Sequence, residues 1–342
     1  MAMTPDELFM KRALELAKLG IGQVSPNPRV GCVIVHDGAI IAEGWHAKFG
    51  ENHAEVNAVN AVHDLSALKE STAYVNLEPC SHFGKTPPCV DLLIKHKLKK
   101  VVIANVDTNP LVGGAGVRKL NDAGIETVVG VLEQDGREMN KRFFTFIEKQ
   151  RPYIILKWAQ TADGFVAQKN FESKWISNES SRQLVHAWRS EEDAVLVGAR
   201  TASHDNPSLT VRDWTGRNPT RIVIDRFLRL NDHLSLFDKK VKTICYNVIK
   251  HEEHKNLELV RVDEGNFLRE MVHDLWKKGL QSVIVEGGAL TLQLFIDAGM
   301  WDEARVFTSP RTFREGVPAP RFTGAPAAVE PIESDQLAVF MA

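Results

Sequence analysis

The chain has 342 residues, 44% hydrophobic and 25% charged, and its 42 basic side chains against 44 acidic ones give a formal charge of −2. That length predicts about two domains, and the charge balance counts against a nucleic-acid-binding protein, whose affinity rests on a basic surface that neutralises phosphates. Four cysteines are too few for a disulfide scaffold, the first residues lack the basic and apolar regions of a signal peptide, and no stretch approaches the ~20 apolar residues of a membrane span; the expectation is a cytoplasmic protein with reduced thiols, no membrane and no nucleic-acid partner, and a small-molecule substrate.

Thr4-Pro5-Asp6-Glu7 predicts a helix start, with Thr4 as cap, Pro5 in the first helical position and Glu7 completing a capping box. Phe9, Ala13, Leu16 and Ala17 recur at helical spacing, and Gly20 marks the end. Val30 to Val35 reads as a buried strand, Asp37-Gly38 as a hairpin turn and Ala39 to Trp45 as the returning strand. A helix is predicted from His53 through Val62. Strands follow at Ala73 to Leu77 and Lys100 to Val106, with a helix-like segment from Asp91 to His96 between them, and one more strand at Gly124 to Val131. This alternation predicts an α/β layer with partly parallel strands.

The short polar run Lys149-Gln150-Arg151-Pro152 suggests a boundary between domains of residues 1–148 and 149–342. Beyond it, strands are predicted at Tyr153 to Trp158, Ala194 to Gly198, Arg221 to Ile224, Val241 to Tyr246 and Ser282 to Val285. Helices are predicted at Glu179 to Arg189, Asn266 to Lys278 and Ala289 to Ala298. From Thr308 onward the chain is rich in Pro and Ala, and its final strands stay unassigned. No internal repeat relates the two halves.

His53-Ala54-Glu55, then Pro79-Cys80, then Cys89 form the H-x-E…P-C…C pattern of zinc deaminases. One imidazole and two thiolates give Zn²⁺ three protein ligands and leave a fourth position for water, whose pKa the metal lowers to about 7. Glu55, at the start of the helix that His53 opens, suits the proton shuttle from water to the departing amine. A second helix is expected to start at Pro79, its dipole favouring the Cys80 thiolate. Each fragment alone is ordinary, since a His-x-Glu is common on helix surfaces and free cysteines are usually buried hydrophobes. Together and in order they indicate a metal site. A closed structural site would need a fourth ligand, for which His82 is the candidate.

These residues, with Leu77-Glu78-Pro79-Cys80-Ser81-His82-Phe83-Gly84-Lys85-Thr86-Pro87-Pro88-Cys89, resemble the deaminase half of the bifunctional riboflavin-biosynthesis deaminase/reductases. Eight residues separate the two cysteines, where cytidine and tRNA adenosine deaminases have two. Ser25-Pro26-Asn27-Pro28-Arg29-Val30-Gly31, Gly44-Trp45-His46 and Asp107-Thr108-Asn109-Pro110 are similar to the family's substrate-lining motifs. The resemblance implies a cytidine-deaminase-like three-layer α/β/α domain in which Asn27, His46, Lys85, Thr86, Asp107 and Asn109 face the pyrimidine or its ribose phosphate. Read alone, Asn27 and Asn109 could be turn residues before prolines. Lys85 stands where the family more often has Arg, and Thr108 where it has Pro.

The second half carries no G-x-G-x-x-G. Glu286-Gly287-Gly288 lies between a strand and a helix, where backbone N–H groups can hold phosphate, although a Gly-Gly turn is more often structural. Lys157, Thr161-Ala162-Asp163-Gly164, Ser173 to Ser177, Val197 to Thr201, Asp205 to Arg212 and Val285 to Gly288 resemble the same family's reductase half. That implies a dihydrofolate-reductase-like α/β domain binding NADPH through Trp175, Thr201, Asp205, Gly287 and Gly288. The substrate would lie against Ser173, Arg189, Leu209, Arg212 and Glu286, with the two arginines as phosphate partners. Read alone, Trp175 and Leu209 could be core residues and Arg189 a solvated helix cation. The resemblance further implies a homo-oligomer, a dimer or larger. The expected function is zinc-dependent deamination of a phosphorylated diaminopyrimidine followed by NADPH-dependent reduction of its ribosyl group. The competing expectations are a deaminase whose second half binds nucleotide without reducing, a nucleic-acid base deaminase, and a non-catalytic zinc scaffold.

Overall fold

The computed structural model describes residues 3–83, 87–109, 113–170 and 176–342, which divide into two compact units, Met1–Gln150 and Arg151–Ala342. In the first unit the order is α1 (Pro5–Lys18), β1 (Gly31–His36), β2 (Ala39–Trp45), α2 (Ala54–Asn60), β3 (Thr72–Leu77), α3 (Cys89–Lys95), β4 (Lys100–Asn105), α4 (Ala115–Asp122), β5 (Glu126–Val129), α5 (Glu133–Met139) and α6 (Lys141–Lys149). The capping box of α1 forms as expected, with Glu7 N donating to Thr4 Oγ1 and Thr4 N to the Glu7 carboxylate. Asp37 and Gly38 both take positive φ, 47° and 77°, the backbone twist that a two-residue hairpin between β1 and β2 demands.

The strand order is β2-β1-β3-β4-β5, antiparallel across β2, β1 and β3 and parallel from β3 to β5. Alternate residues face opposite layers. Ile34, Ala73, Val75, Val101 and Ile103 pack with Ala54 and Ala58 of α2 and Val90 and Leu93 of α3. Val33, Val35, Tyr74 and Val102 pack with Met10, Ala13 and Leu16 of α1. The result is three layers, α/β/α. It places the ends of β3 and β4 beside the start of α2, and that is where the candidate ligands lie.

The second unit contains β6 (Tyr153–Thr161), β7 (Phe165–Ala167), α7 (Glu179–Glu191), β8 (Ala194–Gly198), α8 (Ala199–Asp205), β9 (Thr220–Ile224), β10 (Thr243–Asn247), β11 (Glu252–His254), β12 (Leu257–Arg261), α9 (Phe267–Lys277), β13 (Ser282–Gly287), α10 (Ala289–Asp297), β14 (Glu303–Ser309), β15 (Val317–Pro318), β16 (Ala328–Ile332) and β17 (Asp335–Met341). Ten strands form one sheet in the order β11-β12-β10-β9-β8-β13-β6-β14-β17-β16. Its seven central strands are parallel, with antiparallel strands at both edges. Helices α9 and α10 cover one face and α7 and α8 the other. β7, β11, β12 and β14 to β17 add to the strands expected from sequence. β14 hides in the sequence because Glu303 and Arg305, which look like surface residues, are buried on one face as a 2.6 Å ion pair, with the Arg305 guanidinium 4.4 Å above the Trp188 ring.

Candidate active sites

In the first unit, β3 delivers Leu77-Glu78-Pro79-Cys80 to the C-terminal edge of the sheet, and His53 caps the start of α2 with extended backbone. Cys89 is the first residue of α3. The helix therefore starts ten residues later than the expected Pro79; residues 79–83 take no regular structure. The first amide of α3 still serves the expected purpose, since Cys89 N donates to Cys80 Sγ at 3.3 Å. His53 Nδ1 lies 3.5 Å from Cys80 Sγ and 3.3 Å from Cys89 Sγ. Ligand bonds of 2.0–2.3 Å in a tetrahedron set ligands about 3.3–3.8 Å apart, so both nitrogen–sulfur distances match zinc coordination, and all three atoms lie within 4.8 Å of one another. Among the described residues the cluster holds these three side chains alone. His82 borders the cavity but stands outside the cluster, so the open, catalytic arrangement is the one present. The hydrogen bond from Cys89, with a further one from His53, holds the Cys80 thiol down at about 4.

Glu55, on the first turn of α2, is 3% exposed and reaches the cavity beside the three ligands. Burial raises its carboxyl above the ordinary range. The cavity of about 340 Å³ is of small-molecule size and is bordered by Asn27, His46, Asp107 and Asn109. His46 is buried and edge-on to His53, ring centroids 5.4 Å apart. His46 Nδ1 faces the Asn52 carbonyl at 3.0 Å, and a carbonyl only accepts, so this nitrogen carries the proton. Nε2 then accepts from Asn27 Nδ2 at 3.1 Å, which fixes both side chains. Burial lowers the His46 pKa, in keeping with a neutral ring. Lys85 and Thr86 lie outside the described residues.

Two contributions were not read from the sequence. Phe143 and Ile147 of α6 close one wall of the cavity. Glu78, 7% exposed, accepts from Asp107 N and Gly114 N through Oε2 and from Gly116 N and Val117 N through Oε1, all at 2.7–3.1 Å. An acid two residues before a ligand cysteine was the available signal, but its partners are far away in sequence. The Gly113-Gly114-Ala115-Gly116 run includes the start of α4, with Gly114 in the left-handed region as its cap.

In the second unit the turns after β8 and β13 face each other. A Cβ on Gly288 would sit 3.0 Å from Thr201 Oγ1, and one on Gly198 would lie 2.3 Å from Thr291 Oγ1, so side chains there would collide. Thr201, Gly287 and Gly288 thus come together at the N-terminus of α10, where backbone amides and the helix dipole favour a diphosphate. Asp205 ends α8.

Arg189 and Glu286 meet as a buried bidentate pair, at 2.6 and 2.8 Å, with Lys157 Nζ 3.8 Å from the same carboxylate. Arg189 is therefore neither a solvated cation nor a fork open to phosphate, because Glu286 occupies one edge of the fork and the Thr210 carbonyl another donor. The Leu209 side chain follows the alternative reading, a core residue. The residue is 2% exposed and its side chain packs in the core with Val185 and Trp188, leaving only its backbone for any ligand contact. Arg212 is exposed and donates to Ser208 Oγ. Ser173 and Trp175 lie outside the described residues.

Comparison with known proteins finds a family match for each unit. Residues 3–105 match the cytidine and deoxycytidylate deaminase zinc-binding region, and residues 152–329 match the RibD C-terminal domain. The riboflavin biosynthesis protein RibD of Aquifex aeolicus is 42% identical over 318 residues, covering 91% of this chain and 89% of its own. The Escherichia coli protein of the same name is 35% identical over 338 residues, covering 90% and 88%. The crystal structure of the Thermotoga maritima diaminohydroxyphosphoribosylaminopyrimidine deaminase/5-amino-6-(5-phosphoribosylamino)uracil reductase superposes with a TM-score of 0.89 at 38% identity, over 98% of each chain. With a zinc-binding deaminase unit and a reductase unit of the NADPH-dependent kind on one chain, the protein belongs to the RibD family of bifunctional riboflavin-biosynthesis enzymes.

Proposed function

We propose that the first unit, residues 1–148, hydrolyses the 2-amino group of 2,5-diamino-6-(5-phosphoribosylamino)pyrimidin-4-one to release ammonia. The second, residues 149–342, then reduces the ribosyl group of the product to a ribityl chain. The observation that carries the reading is the juxtaposition of His53, Cys80 and Cys89 with the buried acid Glu55 in one cavity of small-molecule size. Zinc held by the three ligands would supply the Lewis acidity that makes water nucleophilic at neutral pH. Glu55 takes the water proton and returns it to the departing nitrogen, and its burial suits a carboxyl that must both accept and give. Asn27 and His46, locked to each other, present fixed polar edges to the ring, and Asp107 and Asn109 line the same cavity. Lys85 and Thr86 are assigned to the ribose phosphate.

In the second unit Thr201, Asp205, Gly287 and Gly288, with Trp175, would hold NADPH, which supplies the reducing equivalent when bound. Ser173, Arg212 and Glu286 would face the substrate, with Arg189 orienting Glu286. The cytoplasm is the proposed compartment: the four cysteines are free, and no helix among the described residues is long and apolar enough to cross a membrane. A homo-oligomer is proposed as well, since the sheet ends in the exposed strand β16, whose free edge is available to a second copy; sedimentation velocity would read its size.

The test supplies the diaminopyrimidine ribotide with NADPH and follows ammonia release and NADPH absorbance separately. Both signals are expected from zinc-loaded protein. Chelation should abolish ammonia release while NADPH oxidation persists when the deaminated ribotide is supplied directly. Absence of ammonia from the zinc-loaded protein would refute the reading.

A further inference from the structure

The mechanism above leaves unused one buried acid at the cavity, Glu78. Its surroundings exclude proton transfer as its duty. A carboxylate offers about four lone-pair sites, and all four are taken by backbone N–H donors: Asp107 at 3.0 Å, Gly114 at 2.9 Å, Gly116 at 2.7 Å and Val117 at 3.1 Å. The opening amides of a helix lack intrahelical partners, and a cap residue normally satisfies one of them with its side chain. The cap of α4 is Gly114, which has none. Glu78 caps the helix from across the chain, and the same carboxylate holds the amide of Asp107, a residue of the cavity wall. Its own amide donates to the Asn105 carbonyl at 2.9 Å, joining the end of β3 to the end of β4. Two residues further on is the ligand Cys80.

We propose that Glu78 is a positioning residue for the deamination, fixing the Asp107–Asn109 wall against the metal ligands so that substrate meets a preformed edge. This rests on the proposed role of Asp107 and Asn109. Asn109 N donates to Asp107 Oδ1 at 2.8 Å, so displacing Asp107 also displaces Asn109. Glu78→Gln would replace one acceptor oxygen by an N–H₂ group facing backbone donors, at nearly unchanged volume. Gly116→Ala attacks the same joint from the helix side, because its Cβ would lie 2.4 Å from the Pro79 carbonyl and 3.0 Å from Glu78 Oε1.

The experiment uses the full zinc-loaded chain and measures KM and kcat for ammonia release from the diaminopyrimidine ribotide, zinc per chain, and NADPH oxidation with the deaminated ribotide. Glu78→Gln and Gly116→Ala should each raise KM about tenfold or more, with a smaller change in kcat, because an interaction that serves ground and transition states alike appears in KM. Zinc content and NADPH oxidation should stay at wild-type values. Asp107→Ala should raise KM by itself, and adding Glu78→Gln to it should change KM little further, since the two act through one contact. Wild-type KM in Glu78→Gln, loss of zinc from it, or additive effects in the double variant would each overturn the inference. An unchanged KM in Asp107→Ala would instead overturn the substrate role of the wall. Should Glu78→Gln not fold, Gly116→Ala with wild-type KM and normal zinc decides against the inference.

Discussion

Glu55 and Glu286 are both buried carboxylates, yet their neighbours assign them opposite duties. Glu55 lies beside three metal ligands with burial as the main influence on it, which raises its pKa and suits proton exchange. Glu286 is also desolvated, but Arg189 and then Lys157 outweigh burial and hold its carboxyl at about 2. The first environment suits a shuttle and the second a fixed anion. Glu55→Gln keeps the shape and leaves the ligand set intact, so zinc per chain should be unchanged while kcat for ammonia release falls by ~10²–10⁴ or more. A variant that turned over normally would remove Glu55 from the mechanism. The candidate zinc ligands and Glu55 were legible because each belongs to a short local pattern whose chemistry calls for that residue type. Glu78 was not, for its four partners lie 29 to 39 residues further along and are backbone amides, which carry no residue signature. The surroundings of Leu209 and Arg189 were hidden for a related reason, since whether a side chain turns into the core or toward a cavity is settled by packing.

The strand-to-helix junctions do most of the positioning at the scale of elements. Helix α2 carries both His53 and Glu55, and its distance from β2 is set at Gly44. A Cβ there would lie 2.3 Å from Ala58 N and 2.5 Å from the Ala54 carbonyl, so only glycine lets helix and strand approach this closely. Gly44→Ala must push α2 outward. The expected result is a loss of ~1–3 kcal/mol in urea-unfolding stability together with weaker zinc retention against a competing chelator. If stability falls while zinc affinity is untouched, the strand does not set the ligand geometry. Elements with clean periodicity, such as the β1–β2 hairpin and α1, could be read directly from the chain. β14 escaped notice because its Glu303–Arg305 pair is buried, and β17 because its buried Asp335 is satisfied by Asn178 N and Ser181 Oγ from the start of α7. Buried polar residues that find each other look like surface until the partner is known.

For the whole molecule, acid should act first through its buried ion pairs. The Glu286 carboxyl ionises near 4.5 in an unfolded chain and near 2 in the folded one. Its pairing therefore contributes fully above pH 4.5 and is lost progressively as the pH falls toward 2. Glu286→Gln leaves the Arg189 charge buried without its carboxylate, and breaking such a pair costs ~3–5 kcal/mol at neutral pH. The difference in urea midpoint between wild type and variant should be large at pH 7 and narrow at pH 3. An equal gap at both values would show that the pair contributes nothing through ionisation.

The cavity wall made by Phe143 and Ile147 has a consequence for how such an enzyme can change. Both residues sit on α6, well past the residues 3–105 that match the general deaminase zinc region. The chamber's metal chemistry and part of its shape are thus written in separate stretches of the gene. Substitutions in α6 can reshape what the chamber admits without disturbing a single ligand. Preference for one amine over another is then free to drift while the reaction itself is inherited intact.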